Sequence, residues 1–124
     1  MMAPVSAEKP ETPLGREMEQ LAGAFKAFAR ETDPVKGAAL ARQAQQATLR
    51  SMAELPARVR ELPDGPEKDK AGASYRKTMG RVYVALCEAE EAFLAGKPAD
   101  VAQIVTTLKD LKKEGHTAFM KDKD

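Results

Sequence analysis

The chain has 124 residues, a formal net charge of +1, one histidine and one cysteine. A chain of this length forms one domain with its own core. The near-zero charge, with no stretch that interleaves basic and aromatic residues, argues against nucleic-acid binding. No run approaches the roughly 18 apolar residues that a membrane span needs.

Few aromatic residues and abundant helix formers predict an all-α protein. Proline is tolerated in the first turn of a helix but breaks its interior, so the prolines mark four predicted helix starts. Pro13 begins the first helix, which is predicted to reach about Glu31; residues 1–11 are expected to form a disordered segment. The apolar residues of this first helix recur every three or four positions, as in the buried seam of a helical bundle. They are Leu14, Met18, Leu21, Phe25 and Phe28.

Asp33 caps the second predicted helix, which begins at Pro34 and runs to about Glu54. The first half of its inward face is small, so a neighbouring helix can come close, and Gln45 interrupts that face with a polar group. Its predicted inward residues are Val35, Ala38, Ala41, Leu49 and Met52. Residues 55–65 then form a longer connection, because they are rich in proline and contain an Asp-Gly pair. Val59 and Leu62 are candidates for a short turn within it.

Pro66 begins the longest predicted helix, and Gly96 suits the left-handed conformation that ends it. Pro98 begins the last helix, which is predicted to reach about Lys121. The inward residues of these two helices are Ala71, Tyr75, Met79, Val82, Leu86, Ala89, Phe93, Val101, Ile104, Val105, Leu108, Leu111 and Phe119. The short connections between helices 1 and 2 and between helices 3 and 4 make those pairs antiparallel neighbours, so residues 12–124 are predicted to form an up-down-up-down antiparallel four-helix bundle.

In this topology the start of the first helix and the end of the last lie at the same end of the bundle. Met18 and the only histidine, His116, both lie within about two turns of that end. A thioether and an imidazole are a plausible pair of axial ligands for a haem iron. Four further residues are expected to converge there, namely Leu49, Met52, Tyr75 and Met79.

Each of these residues also has an ordinary structural interpretation. Met18 can be a core filler and His116 a charge complement at a helix C-terminus. Gly115 either leaves room beside His116 for a flat ring or only weakens the helix. Cys87 is most simply a packing residue, and a lone cysteine excludes covalent haem attachment through Cys-x-x-Cys-His.

Other chemistry has less support in the sequence. A structural zinc site wants four Cys or His ligands, and the chain has one of each. The Glu-x-x-His pairs of a di-iron bundle are missing. With no nucleophile arrangement and no glycine-rich phosphate loop, we do not expect an enzyme.

The helical region, about Leu14 to Phe119, resembles a known family, cytochrome b562, whose members are periplasmic four-helix haem proteins, and four segments carry the resemblance. LGREMEQL places Met18 where that family has its methionine ligand, and LKDLKKEGHTAF places His116 at its histidine ligand. EEAFLAGKPADVAQ is similar to its turn between the last two helices. SYRKTM is similar to the stretch that packs on the haem, although Met79 stands where an aromatic residue is expected and Gly115 replaces a bulkier neighbour of the histidine.

The resemblance implies an electron carrier that binds haem b (iron protoporphyrin IX) noncovalently, with Met18 and His116 as ligands and Tyr75 and Met79 as wall residues. It also implies a periplasmic location, although residues 1–11 lack the features of a signal peptide. The expected partners are redox proteins and neither nucleic acid nor membrane, and the chain is expected to be a monomer or a weak oligomer. The alternative is a haem-free bundle that acts as an interaction or stress-related binding module.

The lysines near the end of the last helix have two interpretations. They either form a docking surface for a redox partner or are a solvated helix face. They are Lys109, Lys112, Lys113, Lys121 and Lys123.

Overall fold

The computed structural model describes residues 12–120. The predicted disordered segment, residues 1–11, and residues 121–124 lie outside the described residues. The described chain contains five α-helices and a π-helical segment: α1 (Pro13–Ala29), α2 (Pro34–Met52), α3 (Ala57–Arg60), α4 (Pro66–Leu94), α5 (Pro98–Gly115) and the π-helical segment His116–Met120. No helix in this range has an apolar stretch long enough to cross a bilayer.

The four long helices form the predicted four-helix bundle, which confirms the fold class. The α1–α2, α2–α4 and α4–α5 interfaces are extensive, whereas α1 and α5 make much less contact with each other. We call the boundary between these two helices the α1–α5 seam. The bundle is therefore closed firmly on three sides and more loosely on the fourth.

The helix starts follow from local chemistry, as predicted. The Thr12 hydroxyl accepts a hydrogen bond from the Gly15 amide at 2.9 Å, and the Asp33 carboxylate accepts one from the Lys36 amide at 2.8 Å. A proline follows each of these caps, where its missing N–H costs nothing. Gly96 has a positive φ of 69°, so it ends α4 in the left-handed conformation that glycine adopts without strain.

The core consists of two clusters. The main cluster runs along the bundle and is centred on Phe28, which is fully buried and meets Phe25 and Phe93 edge-to-face at centroid distances of 5.4 and 6.1 Å. The second cluster, which we call the end cluster, consists of Leu14, Val59, Tyr75, Met79 and Phe119. It lies where α1 begins and α5 ends, so the end predicted to be functional has a core of its own.

Two of the predicted inward residues of α2 face outward. Val35 is 71% exposed and Leu49 is 44% exposed. They stand two heptads apart on one stripe with the exposed Arg42, while the buried stripe of α2 is made mainly of small residues. The buried face of α2 is therefore the face that packs closely against α4, although it does not carry the largest apolar side chains of the helix.

The last helix also departs from the prediction of a continuous α-helix to about Lys121. Regular α-helix ends at Gly115, and residues 116–120 continue as π-helix. Glycine is the weakest helix former apart from proline, so the change of helix type falls where the α-helix is least favoured. The change occurs at His116, the candidate ligand.

We predict that Gly37→Ala destabilises the protein, although alanine usually favours a helix by about 1 kcal/mol over glycine. A Cβ at Gly37 would overlap the ring of Phe93, so we expect a net loss of about 1 to 3 kcal/mol in the free energy of unfolding. Gly80→Ala is the matched control, since nothing lies within 4 Å of its new Cβ. Urea unfolding of both variants checks this; equal stabilisation of the two would contradict the close approach of α2 and α4.

A buried polar group joins α2 to α4. The Gln45 amide, 6% exposed, donates to the Leu86 carbonyl at 3.2 Å and to the Glu90 carboxylate at 2.9 Å. The hydrogen bond from Gln45 lowers the pKa of Glu90, whereas partial burial of the carboxylate raises it. Arg42, which donates to the other carboxylate oxygen at 3.0 Å, lowers the pKa further. The polar interruption seen in the sequence is thus a satisfied link between helices.

This link predicts a pH-dependent cost for Gln45→Met. A carboxyl whose pKa is lowered on folding adds stability above its unfolded pKa and loses it as the pH falls through the lowered value. At neutral pH we expect the variant to lose about 1 to 3 kcal/mol. The difference from wild type should shrink below a pH of about 4, as Glu90 becomes protonated. Denaturant titrations at several pH values measure it, and a difference that stays constant with pH would refute the coupling.

Candidate functional site

The end cluster joins α2, α4 and the π-helical segment through two contacts of Tyr75. The Tyr75 ring meets the Phe119 ring edge-to-face, with centroids 5.6 Å apart and an interplanar angle of 83°. Its hydroxyl donates a buried hydrogen bond to the Ser51 carbonyl at 2.8 Å. Because Tyr75 is only 1% exposed, it is a fixed part of the wall at this end.

The connection between α2 and α4 covers part of this end. The predicted short turn is the helix α3, which packs against both α4 and the π-helical segment. Val59, 3% exposed, inserts into the end cluster, and Leu55 packs against it. The sequence marked Val59 as part of a turn, but only the folded chain shows that it helps to build the candidate site.

The structure brings the predicted methionines together. Met79 is buried in the end cluster, and Met18 and Met52 pack against it while remaining partly accessible. Leu49 does not join them, because it faces outward. Met18, Tyr75 and Met79 therefore share one apolar environment, while their role in holding a cofactor stays a prediction.

His116 lies at the junction of α5 and the π-helical segment and is partly buried. A Cβ on its neighbour Gly115 would meet only a Thr78 methyl of α4, at 3.8 Å. Three residues further on, Phe119 enters the end cluster. The segment that carries His116 is thus anchored at the same end of the bundle as Met18.

The surroundings of His116 favour its neutral form. Burial lowers the pKa of His116 below its ordinary value, and the positive charge of Lys112 lowers it further. A neutral imidazole keeps a nitrogen lone pair for a metal, whereas the protonated ring has none. The structure therefore favours the form of the ring that has a free lone pair, while its role as a ligand stays a prediction.

The α1–α5 seam lies between the two helices that carry these donors. Several apolar side chains of α1 and α5 are only partly buried, although they pack against the main cluster. They are Leu21, Phe25, Ile104 and Val105. A flat apolar ring needs helices that are not tightly packed together, together with apolar walls.

The donor set also agrees with this group. A thioether and a neutral imidazole suit a haem iron, whereas the described residues contain no cluster of three or more His, Cys, Asp or Glu that could hold a free metal ion. Cys87 is partly buried on α4 and is not part of the end cluster. The residues present therefore fit a haem better than a bare ion.

The fold and the candidate donors define an antiparallel four-helix bundle with a candidate haem site at one end. The sequence model of the family described as cytochrome b562 matches residues 13–120, nearly the whole chain. The chain belongs to the cytochrome b562 family. No curated protein matches it.

We predict that Tyr75→Phe costs about 0.5 to 1.5 kcal/mol of unfolding free energy, because it removes the hydroxyl that bonds the Ser51 carbonyl while keeping the ring contact with Phe119. Tyr83→Phe, on a less buried part of α4, is the control and should change stability by less than about 0.5 kcal/mol. Thermal and urea unfolding measure both. Equal effects would show that the Tyr75 hydroxyl does not brace this end.

Proposed function

We propose that the protein is a b-type cytochrome that carries single electrons on a noncovalently bound haem b. Met18 and His116 would be the axial ligands, with Tyr75 and Met79 in the wall. The observation that carries the proposal is the family match over residues 13–120, in a chain whose only histidine lies at the same bundle end as Met18.

The two donors act by filling the iron coordination. When bound, the haem supplies a one-electron couple between ferrous and ferric iron. Met18 contributes a soft sulfur, and His116 contributes a neutral nitrogen whose protonation is disfavoured by burial. If Met18 and His116 both hold the iron, they would leave no position for oxygen or a substrate, which suits a carrier rather than an enzyme.

The wall residues would control water access and polarity. Tyr75 and Phe119 are buried and their rings are in contact, and Met79 is 7% exposed beside them. A dry, apolar environment disfavours the ferric state, which bears the greater positive charge, and methionine ligation also raises the reduction potential. These side chains would limit the access of water to the inner side of the two ligands and hold the site in shape.

Family membership extends the proposal to location and partners. We propose a periplasmic protein that exchanges electrons with redox proteins and is a monomer or weak oligomer. This part of the proposal depends on the family alone.

The test is a haem titration of the full chain and three variants. Wild type should bind one haem and show the sharp visible bands of a reduced, six-coordinate b-type haem. Met18→Leu and His116→Gln each keep similar volume but remove a donor, so both should lose these bands and bind haem at least about tenfold more weakly. Met52→Leu is the control, because Met52 packs against the same cluster, and it should behave as wild type.

Two results would overturn the proposal. Unchanged bands in both donor variants would show that other residues bind the iron. A wild-type protein that is helical by circular dichroism yet binds no haem would favour the alternative, a haem-free bundle that serves as an interaction or stress-related binding module.

A further inference from the structure

The last turns of α5 carry a row of lysines on one face. Lys109, Lys112 and Lys113 are all exposed. Lys112 follows Lys109 by three residues, Lys113 follows directly, and His116 comes three residues later. At about 100° per residue, this spacing places the three lysines and His116 on the same side of the helix. We call Lys109, Lys112 and Lys113 the lysine stripe.

The acidic residues of these turns lie on other faces of α5. Asp110 and Glu114 stand roughly a third of a turn from the middle of the stripe. Glu114 forms an ion pair with Arg81 of α4 at 3.6 Å, which turns its charge toward the neighbouring helix. The stripe therefore presents positive charge to solvent.

The stripe borders the candidate site. His116 is only partly buried and follows the stripe on the same face of the helix. The charge of Lys112 is close enough to act on the imidazole. A molecule that docks on these lysines would thus lie beside the accessible edge of a candidate iron ligand.

The other end of the α4–α5 pair has the opposite character. A surface cleft of about 410 Å³ near the α4–α5 turn is lined by Glu88, Glu91 and Asp100, with Lys97 as its one cation. These acidic side chains therefore lie at one end of the α4–α5 pair and the lysine stripe at the other, although other lysines also lie near the acidic end. Such a separation orients an incoming charged molecule before contact.

We propose that the lysine stripe is the docking surface for the acidic face of a redox partner protein. This inference rests on the proposed function, since it assigns the route by which the electron leaves or enters. One electron passes between the haem iron and the redox centre of the partner, so one centre is oxidised and the other reduced, with no bond made or broken.

The first experiment needs no haem. The full chain is mixed with hexacyanochromate(III), a redox-inert paramagnetic trianion, and NMR records which backbone amide signals broaden. The stripe variant combines Lys109→Gln, Lys112→Gln and Lys113→Gln. The control variant combines Lys26→Gln, Lys36→Gln and Lys97→Gln, three exposed lysines near the opposite end, so both lose the same charge.

Wild type and the control variant should show broadening centred on residues 109–116, and the stripe variant should lose it. Broadening spread evenly over the surface, or an equal loss in both variants, would overturn the proposal. The lysines would then be an ordinary solvated face.

The second experiment uses the reduced, haem-loaded protein. Stopped-flow oxidation by hexacyanoferrate(III), an anionic acceptor, should be at least about tenfold slower in the stripe variant at low ionic strength. The control variant should stay within about twofold of wild type, and the difference should disappear near 0.5 M salt, where screening is strong. A cationic oxidant, tris(phenanthroline)cobalt(III), should not be slowed. An unchanged rate with hexacyanoferrate(III) would overturn the docking role.

The two experiments separate the two proposals. If wild type binds no haem, the proposed function and the redox role of the stripe fail together, while the NMR experiment still decides whether the stripe recognises an acidic surface. If haem binds but the stripe variant behaves as the control, only the docking proposal fails.

Discussion

The close approach of α2 to α4 is the constraint on which the rest of the bundle depends. It is possible because α2 buries small residues, with Gly37 against the ring of Phe93, and because Gln45 links the two helices through satisfied hydrogen bonds. Since side chains in a core must interdigitate at near-crystalline density, a small residue on one helix fixes how near the other can come. The outer helices α1 and α5 then each pack mainly on one member of this pair, and they contact each other much less than the other neighbouring helices do.

That unequal packing gives the candidate site its position. Among neighbouring long helices, the pair with the least mutual contact is α1, which carries Met18, and α5, which leads directly into His116; Tyr75 and Phe119 close the same end by an edge-to-face contact. A bundle packed equally on all sides would present only interior core to a cofactor. In this bundle the proposed haem would contact apolar side chains on the side where two neighbouring helices, α1 and α5, pack less closely. The two donors would approach it from helices that are otherwise nearly independent.

Much of this could be predicted from the sequence because its causes are local. Capping residues and prolines fix the helix starts, and the apolar spacing of α1, α4 and α5 fixes the buried faces. The shared end of Met18 and His116 follows from topology and depth alone. Val35 and Leu49 were assigned wrongly, because apolar spacing cannot show that the buried face of α2 consists of smaller residues. The docking of Val59 and the α1–α5 seam depend on contacts between distant segments, which no local pattern encodes, whereas Gly115 marked the place where regular α-helix ends.

Charge and ligation meet at the end of α5. The positive charge of Lys112 that disfavours a proton on His116 belongs to the same row that would attract an acidic surface. Both effects come from a helical repeat that keeps residues 109, 112, 113 and 116 on one side. A proton and an acidic partner have opposite charges, so Lys112 adds to the effect of burial in disfavouring a proton on the imidazole, while the row as a whole would draw an acidic surface toward it. The helix period therefore places Lys112, whose charge acts on the protonation of His116, within the surface proposed to receive a redox partner.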